Sequence, residues 1–192
     1  MLLNDKQKKF KLTLEDMADI LEQNDIHYFF DSGTSLGCHR EKQFIEHDED
    51  IDLGIFEDIS YQKIIEAIDN SNKFSFVSSY PVDDRRPRNQ KPVYNLDGLM
   101  ELCLIHNETN VGLDISKYYK KEDKYMSFAY NGKCSFKPRN RCEWLDPINL
   151  IQMEFLGRTY YVPDMDFITS RYGSDWNIPK AESYDDQGSI IN

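Results

Sequence analysis

Residues 47–54 read His-Asp-Glu-Asp-Ile-Asp-Leu-Gly, and the stretch 50–56, Asp-Ile-Asp-Leu-Gly-Ile-Phe, alternates between apolar and polar or small residues. In a strand, Asp50 and Asp52 share one face with Cα atoms about 6.5–7 Å apart, and Ile51, Leu53 and Ile55 anchor the other. Asp48 joins the acidic face if the strand starts early. Packing gives no reason to align carboxylates, since like charges repel and raise each other's pKa. A divalent cation relieves that repulsion, and Mg²⁺ suits it by taking one or two carboxylates together with substrate phosphates and water. An EF-hand loop does not fit: counted from Asp48, position 6 is Leu53 instead of Gly and position 12 is Ile59 instead of Glu. A solvated acidic strand edge is the ordinary alternative. Against it stands Asp114 within Val111-Gly112-Leu113-Asp114-Ile115, because a lone Asp in a short apolar strand needs a partner or a metal.

A third piece is the small-residue run Gly33-Thr34-Ser35-Leu36-Gly37, which follows the apolar segment Ile26–Phe30. A strand, then a turn of small residues, then a possible helix start lets backbone N–H groups approach a phosphate. A glycine-bearing turn, two alternating aspartates and a third on a later strand together point to metal-assisted chemistry on a phosphorylated substrate.

The elements that must position these groups are legible from periodicity. Phe10, Leu12, Leu14, Met17, Ile20 and Leu21 recur at helical steps over 6–25, which Asn24 and Asp25 close. Residues 26–30 read as a buried strand, 31–37 as a turn opening a short helix through Arg40, and 61–68 as a helix. Residues 78–92 read as an irregular basic loop carrying Arg85, Arg86, Arg88 and Lys91, a solvated segment or a cationic patch that gathers an anionic substrate. Residues 99–105 and 111–115 read as strands joined by a hairpin at Asn107–Asn110, and 125–136 as a hairpin turning at Asn131-Gly132. Residues 147–156 fit a strand or a short helix, and the polar tail from Tyr184 reads as loose. No linker divides the chain. The expectation is an α+β fold, a mixed sheet with helices packed on it, as a single domain over 1–192.

The 192 residues carry 23 Lys and Arg against 34 Asp and Glu, a formal charge of −11, which argues against nucleic acid as a partner. No apolar run is long enough to span a membrane, and the start, MLLNDKQKKF, has no signal-peptide core, so a cytoplasmic protein is expected. Lys6, Lys8, Lys9 and Lys11 leave room for peripheral visits to a membrane surface. Cys38, Cys103, Cys134 and Cys142 show no paired ligand spacing, and scattered reduced thiols are expected in place of a structural zinc site.

With these residues in view, the sequence resembles the nucleotidyltransferase fold, and more narrowly the LicD family of phosphocholine transferases and fukutin-related ribitol-phosphate transferases. The resemblance rests on Gly33, Thr34, Leu36, Gly37 and Arg40, on Phe44-Ile45 leading into Asp48, Asp50 and Asp52, and on Tyr172-Gly173-Ser174-Asp175-Trp176 with Pro179. Three departures stand out: His47 where family members commonly have Trp before the aspartates, Ser174 inserted before Asp-Trp, and no glycine pair in 38–43. The resemblance implies transfer of a phosphorylated group from a CDP-activated donor to a hydroxyl of a glycan or glycolipid, with Mg²⁺, or Mn²⁺ in its place, on Asp50, Asp52 and Asp114. Asp114 serves as a metal ligand or as the base for the attacking hydroxyl. Gly33, Thr34 and Ser35 would hold phosphate oxygens, and Arg40 would make a bidentate phosphate contact, its alternative being an ion pair with a nearby glutamate. His39 and His47 read as polar neighbours of the turn, and Trp144, Tyr172 and Trp176 as packing residues. The same aspartates would also serve a transferase that moves a nucleoside monophosphate with release of pyrophosphate. A non-catalytic nucleotide-binding module is the reading outside enzymology.

Overall fold

A computed structural model describes residues 3–81, 99–130 and 141–180. Among them the chain forms α1 (Asp5–Gln23), β1 (Phe29–Phe30), α2 (Ser32–Arg40), β2 (Asp50–Phe56), α3 (Tyr61–Ser71), β3 (Phe74–Pro81), β4 (Leu99–His106), β5 (Gly112–Lys121), β6 (Lys124–Tyr130), β7 (Arg141–Asp146), β8 (Leu150–Phe155), β9 (Arg158–Pro163) and α4 (Met165–Tyr172). The fold is α+β, with a mixed seven-stranded sheet and a separate β8–β9 ribbon. No described helix is long and apolar enough to cross a membrane.

Local chemistry sets the helix limits. The Asn4 side chain caps α1 by accepting the Gln7 N–H at 2.8 Å, and Asp25, at φ +50°, turns the chain away after it. Ser60 caps α3 at its start, and Asn72 ends it in the left-handed region at φ +56°.

The main sheet runs β1-β2-β5-β4-β3, with β6 and β7 continuing from β5. Only β2 and β5 pair in parallel; every other ladder is antiparallel. Ile51, Leu53, Ile55, Leu113, Ile115, Leu102 and Leu104 are all buried in one core with Leu14, Met17 and Leu21 of α1 and Ile64 and Ile68 of α3. A second cluster gathers Phe29, Leu36, Ile45, Tyr118, Phe167 and Ile168. The period-2 alternation of β2 and β5 therefore commits one sheet face to packing and frees the other for polar work.

Several expected elements change shape. Of 26–30 only Phe29 and Phe30 pair, opposite Gly54 and Leu53, because Asp31 already caps a helix. Residues 32–37 are the first turns of α2 and not a preceding turn. Ser78–Pro81 belongs to β3, while Arg85, Arg86, Arg88 and Lys91 lie outside the described residues. The hairpin at Asn107–Asn110 forms, closed by His106 N–H to Val111 O at 2.9 Å. β6 pairs with β7 with Tyr130 opposite Arg141, and the turn expected at Asn131-Gly132 lies outside the described residues. Residues 150–155 are strand, decided by the two-residue turn Leu156-Gly157 at φ +51° and +92°, which folds β9 back onto β8. The tail from Tyr184 is also outside the described residues.

Gly54 shows how tightly the two cores meet. A Cβ there would run into the ring of Phe29, which itself packs edge-on to Tyr118 with centroids 5.3 Å apart. Gly54→Ala should destabilise the protein by about 1–3 kcal/mol, the range for overpacking a filled core. Urea denaturation measures it, and an unchanged midpoint would show the Phe29 ring free to move aside.

Candidate active site

Register builds the site. Asp52 faces Asp114 across the parallel β2–β5 ladder, Asp114 faces Cys103 across β5–β4, and Glu101 faces Ser116. By alternation, Asp50, Asp52, Asp114, Glu101 and Cys103 all project from the sheet face opposite the helical core. Asp31, Asp48, Asp50, Asp52, Glu101 and Asp114 line one open cavity of about 250 Å³. The structure thus brings the three sequence-derived aspartates together. It adds Glu101 and Cys103, whose ligand atoms lie within 4.8 Å of each other and of an Asp114 oxygen. The sequence did carry a signal for both: Glu101-Leu102-Cys103-Leu104 alternates in the manner of 50–56.

Crowding of like charge dominates the electrostatics. Burial, then Asp50, Asp31, Asp114 and Asp48, push the Asp52 carboxyl well above the usual carboxylate range. Asp50 and Asp48 are raised as well, burial being the main cause for each. Asp114 is raised to about 6 by burial, although a hydrogen bond with the Cys103 thiol pulls it the other way. Glu101 is raised to about 8 by burial and then by Asp114, Asp31 and Asp50. A face of hard carboxylate oxygens that are this reluctant to ionise together fits a divalent cation such as Mg²⁺.

Helix α2 locks onto β2 by reciprocal bonds. The Gly33 N–H donates to Asp52 Oδ2 at 3.1 Å, and the Asp52 N–H donates to Thr34 Oγ1 at 2.9 Å. Asp31 caps the helix, its Oδ1 accepting the Ser32 N–H at 2.6 Å, and its own N–H donates to Asp52 O at 3.1 Å. Ser32 sits at φ +39°, a left-handed conformation that a non-glycine residue adopts only when its surroundings enforce it. Gly33 permits close approach, since a Cβ there would stand 2.5 Å from Asp48 Oδ2. Thr34 and Ser35 are buried, the latter with a hydroxyl that has no hydrogen-bond partner among the described residues. Arg40 lines the cavity and pairs with Glu41 through Nη2 at 2.8 Å. His39 turns to Pro163 O at 2.7 Å, whereas His47 is exposed at the cavity edge.

One polar chain could not be read from sequence. Arg171 of α4 is buried, donates from Nε to Asp146 Oδ2 at 3.0 Å, and reaches Ser127 Oγ at 3.2 Å and Tyr118 Oη at 3.4 Å. Tyr118 Oη in turn donates to Asp31 Oδ1 at 2.6 Å. The chain of bonds runs Asp146, Arg171, Tyr118, Asp31, ending at the cap of α2. The Arg171 guanidinium also stacks on buried Trp144, 4.8 Å from the ring centre. Half-buried Tyr172 and Trp176 line the cavity beside it.

Comparison with known proteins adds an independent line. Residues 25–165 match the family described as LicD/FKTN/FKRP, nucleotidyltransferase domain. The human protein named ribitol-5-phosphate transferase FKTN is 26% identical over 176 residues, covering 90% of this chain and 34% of that protein, and the protein of the same name from Macaca fascicularis matches equally. An uncharacterised Rickettsia typhi protein is 28% identical over 120 residues, covering 62% of this chain and 31% of its own length. The chain spans about a third of the length of each of these relatives.

The raised carboxyls make stability fall as pH rises. Their folded pKa values exceed the unfolded ones of about 4, so the folded state holds the extra protons. That advantage is complete below about pH 4 and is lost as pH climbs through about 6 for Asp114 and about 8 for Glu101. In chelator, the urea midpoint should fall between about pH 5 and pH 9. Asp114→Asn should stabilise the protein at the upper pH more than at the lower; a flat profile in the unmutated chain would contradict the clustering.

Proposed function

The chain belongs to the LicD/FKTN/FKRP nucleotidyltransferase-domain family, and we propose that it transfers a phosphorylated group, such as phosphocholine or an alditol phosphate, from a CDP-activated donor to a hydroxyl of a glycan or glycolipid. The observation that carries this reading is the facing pair Asp52 and Asp114, with Asp50 beside them, on the floor of an open cavity. The FKTN relatives' name, ribitol-5-phosphate transferase, supports the phosphorylated-group class.

Asp50, Asp52 and Asp114 would hold Mg²⁺, or Mn²⁺ in its place. Bound there, the ion would neutralise the donor diphosphate and the leaving CMP, since phosphoryl transfer needs charge neutralisation and alignment above all. The protein's own groups do the placing. Thr34 and Gly33 fix Asp52 by side chain and backbone, so Thr34 acts by positioning the ligand. Arg40 reaches a phosphate by exchanging Glu41 for it, and that contact can be bidentate. Tyr172 and Trp176 line the same cavity as the carboxylates and give it an aromatic flank against which a donor would pack. If Asp114 is instead the base, it accepts the proton of the attacking hydroxyl, a task its raised pKa favours.

Asp50→Asn and Asp52→Asn should each lower turnover by at least about a hundredfold, the scale of losing one charge-stabilising group, and weaken Mg²⁺ binding while the circular dichroism of the folded chain persists. Full activity in both variants would reject the metal assignment. The donor is tested by incubation with CDP-linked and other nucleotide donors, reading released products by mass spectrometry. Release of CMP supports the proposal. Release of pyrophosphate favours nucleoside-monophosphate transfer, and absence of both Mg²⁺ and nucleotide binding in calorimetry favours a non-catalytic module.

A further inference from the structure

Glu101 and Cys103 have no task in the reading above, yet they stand beside Asp114. Cys103 is its direct partner across the β4–β5 ladder, and Glu101 lies two residues along the same strand face. One ligand atom from each of the three lies within 4.8 Å of the others. Around a tetrahedral ion with bonds of about 2.0–2.3 Å, two carboxylate oxygens and a sulfur stand about 3.3–3.5 Å apart, so a contraction of at most about 1.5 Å closes the set. The Cys103 thiol already points its hydrogen bond at Asp114. Among the described residues no hydrogen bond is made to the Glu101 carboxylate, which feels the charges of Asp114, Asp31 and Asp50. These are two strands' worth of ligands converging on one point, with a carboxylate left unmatched.

We propose that Glu101, Cys103 and Asp114 form a cation position of their own, adjoining the Asp50–Asp52 oxygens and sharing Asp114 with them, and that its thiolate selects a transition-metal dication of the Zn²⁺ and Co²⁺ class over Mg²⁺. Thiolate is a soft ligand that Mg²⁺ refuses and Zn²⁺ and Co²⁺ accept, while the two carboxylates and an open fourth direction toward the cavity complete a site of the kind that keeps room for water or substrate. As the sulfur–metal bond forms, the thiol proton passes to solvent. Cys38 offers the contrast within the same chain: it is buried in the apolar core, and burial pushes its thiol up to about 11, which leaves it inert. This position goes beyond the reading above and does not need a CDP donor.

The test uses the full chain and Co²⁺ as the probe. Titration should raise a near-ultraviolet thiolate-to-cobalt charge-transfer band that persists in Cys38→Ser, vanishes in Cys103→Ser, and is displaced by Zn²⁺ but not by Mg²⁺. Glu101→Gln should weaken Zn²⁺ binding by about tenfold or more in calorimetry, at least the loss seen when a mere supporting group is removed. Cobalt binding without the band, a band that survives Cys103→Ser, or no cobalt binding would each overturn the proposal. If Cys103→Ser does not fold, Glu101→Gln decides, and an undiminished Zn²⁺ affinity is fatal. Mg²⁺ calorimetry run alongside separates the two readings: loss of Mg²⁺ binding with the band intact counts against the Asp50–Asp52 assignment and for this one.

Discussion

Burying several carboxylates on one face of one sheet is the constraint around which the rest of this molecule is arranged. Each added acid raises the others, and burial raises them all, so the face resists full ionisation. The buried guanidinium nearby, Arg171, is bonded to Asp146, and Arg40 is paired with Glu41. Among the described residues, Arg171 offsets only part of the rise that burial causes at Asp31, and neither of these two guanidiniums is bonded to Asp50, Asp52 or Asp114. Carboxylates crowded in this way at an open cavity suit the metal and the anionic phosphate compound of the proposed function.

Holding such a face in shape falls to two devices. The first is the exchange of bonds between α2 and β2, in which the backbone of Gly33 supports the Asp52 carboxylate and the Thr34 hydroxyl supports the Asp52 backbone. The start of the helix thus cradles a protein carboxylate, with the favourable charge sense of a helix N-terminus. The second is the chain from Asp146 through Arg171 and Tyr118 to Asp31, which ties β7, α4 and β5 to the cap of that same helix. Burial favours such a chain only while every link is kept, because a buried ion with one partner removed is left uncompensated. Residues remote in sequence thereby fix where Asp31 and Asp52 stand.

What could be read in advance follows from how local the cause is. The alternation at 50–56 and around Asp114 fixes a face, and a face is enough to bring Asp50, Asp52 and Asp114 together once β2 and β5 pair. The same alternation is present at Glu101 and Cys103, but there the acid lies among leucines and no second acid alternates with it on the strand. The run 33–37 was legible as small residues near a phosphate-type turn, whereas its helical state depends on the Asp31 cap and on bonds to β2, which composition does not display. β8 and β9 hinge on left-handed geometry at Leu156-Gly157, and a leucine does not advertise that conformation. Arg171 and Asp146 lie 25 residues apart in different elements, and nothing periodic links them.

The two faces of the central strands divide labour in a way that bears on why the acids are there. Ile51, Leu53, Ile55, Leu113 and Ile115 supply core packing, and for that purpose the opposite positions could hold any side chain. Apolar or neutral residues at 50, 52, 101 and 114 would relieve mutual repulsion and desolvation, so on stability alone the fold is better without the acids. A stack that lowers stability and sits at the bottom of an open cavity is accounted for by chemistry, since functional sites are where strained and unsatisfied groups are retained. Asp114 has hard carboxylate oxygens on one side and a carboxylate with a thiol on the other. Strand β5 stands between β2 and β4, so a single side chain on it faces both neighbours, and the order of strands alone is enough to set the Asp50–Asp52 pair and the Glu101–Cys103 pair on either side of Asp114.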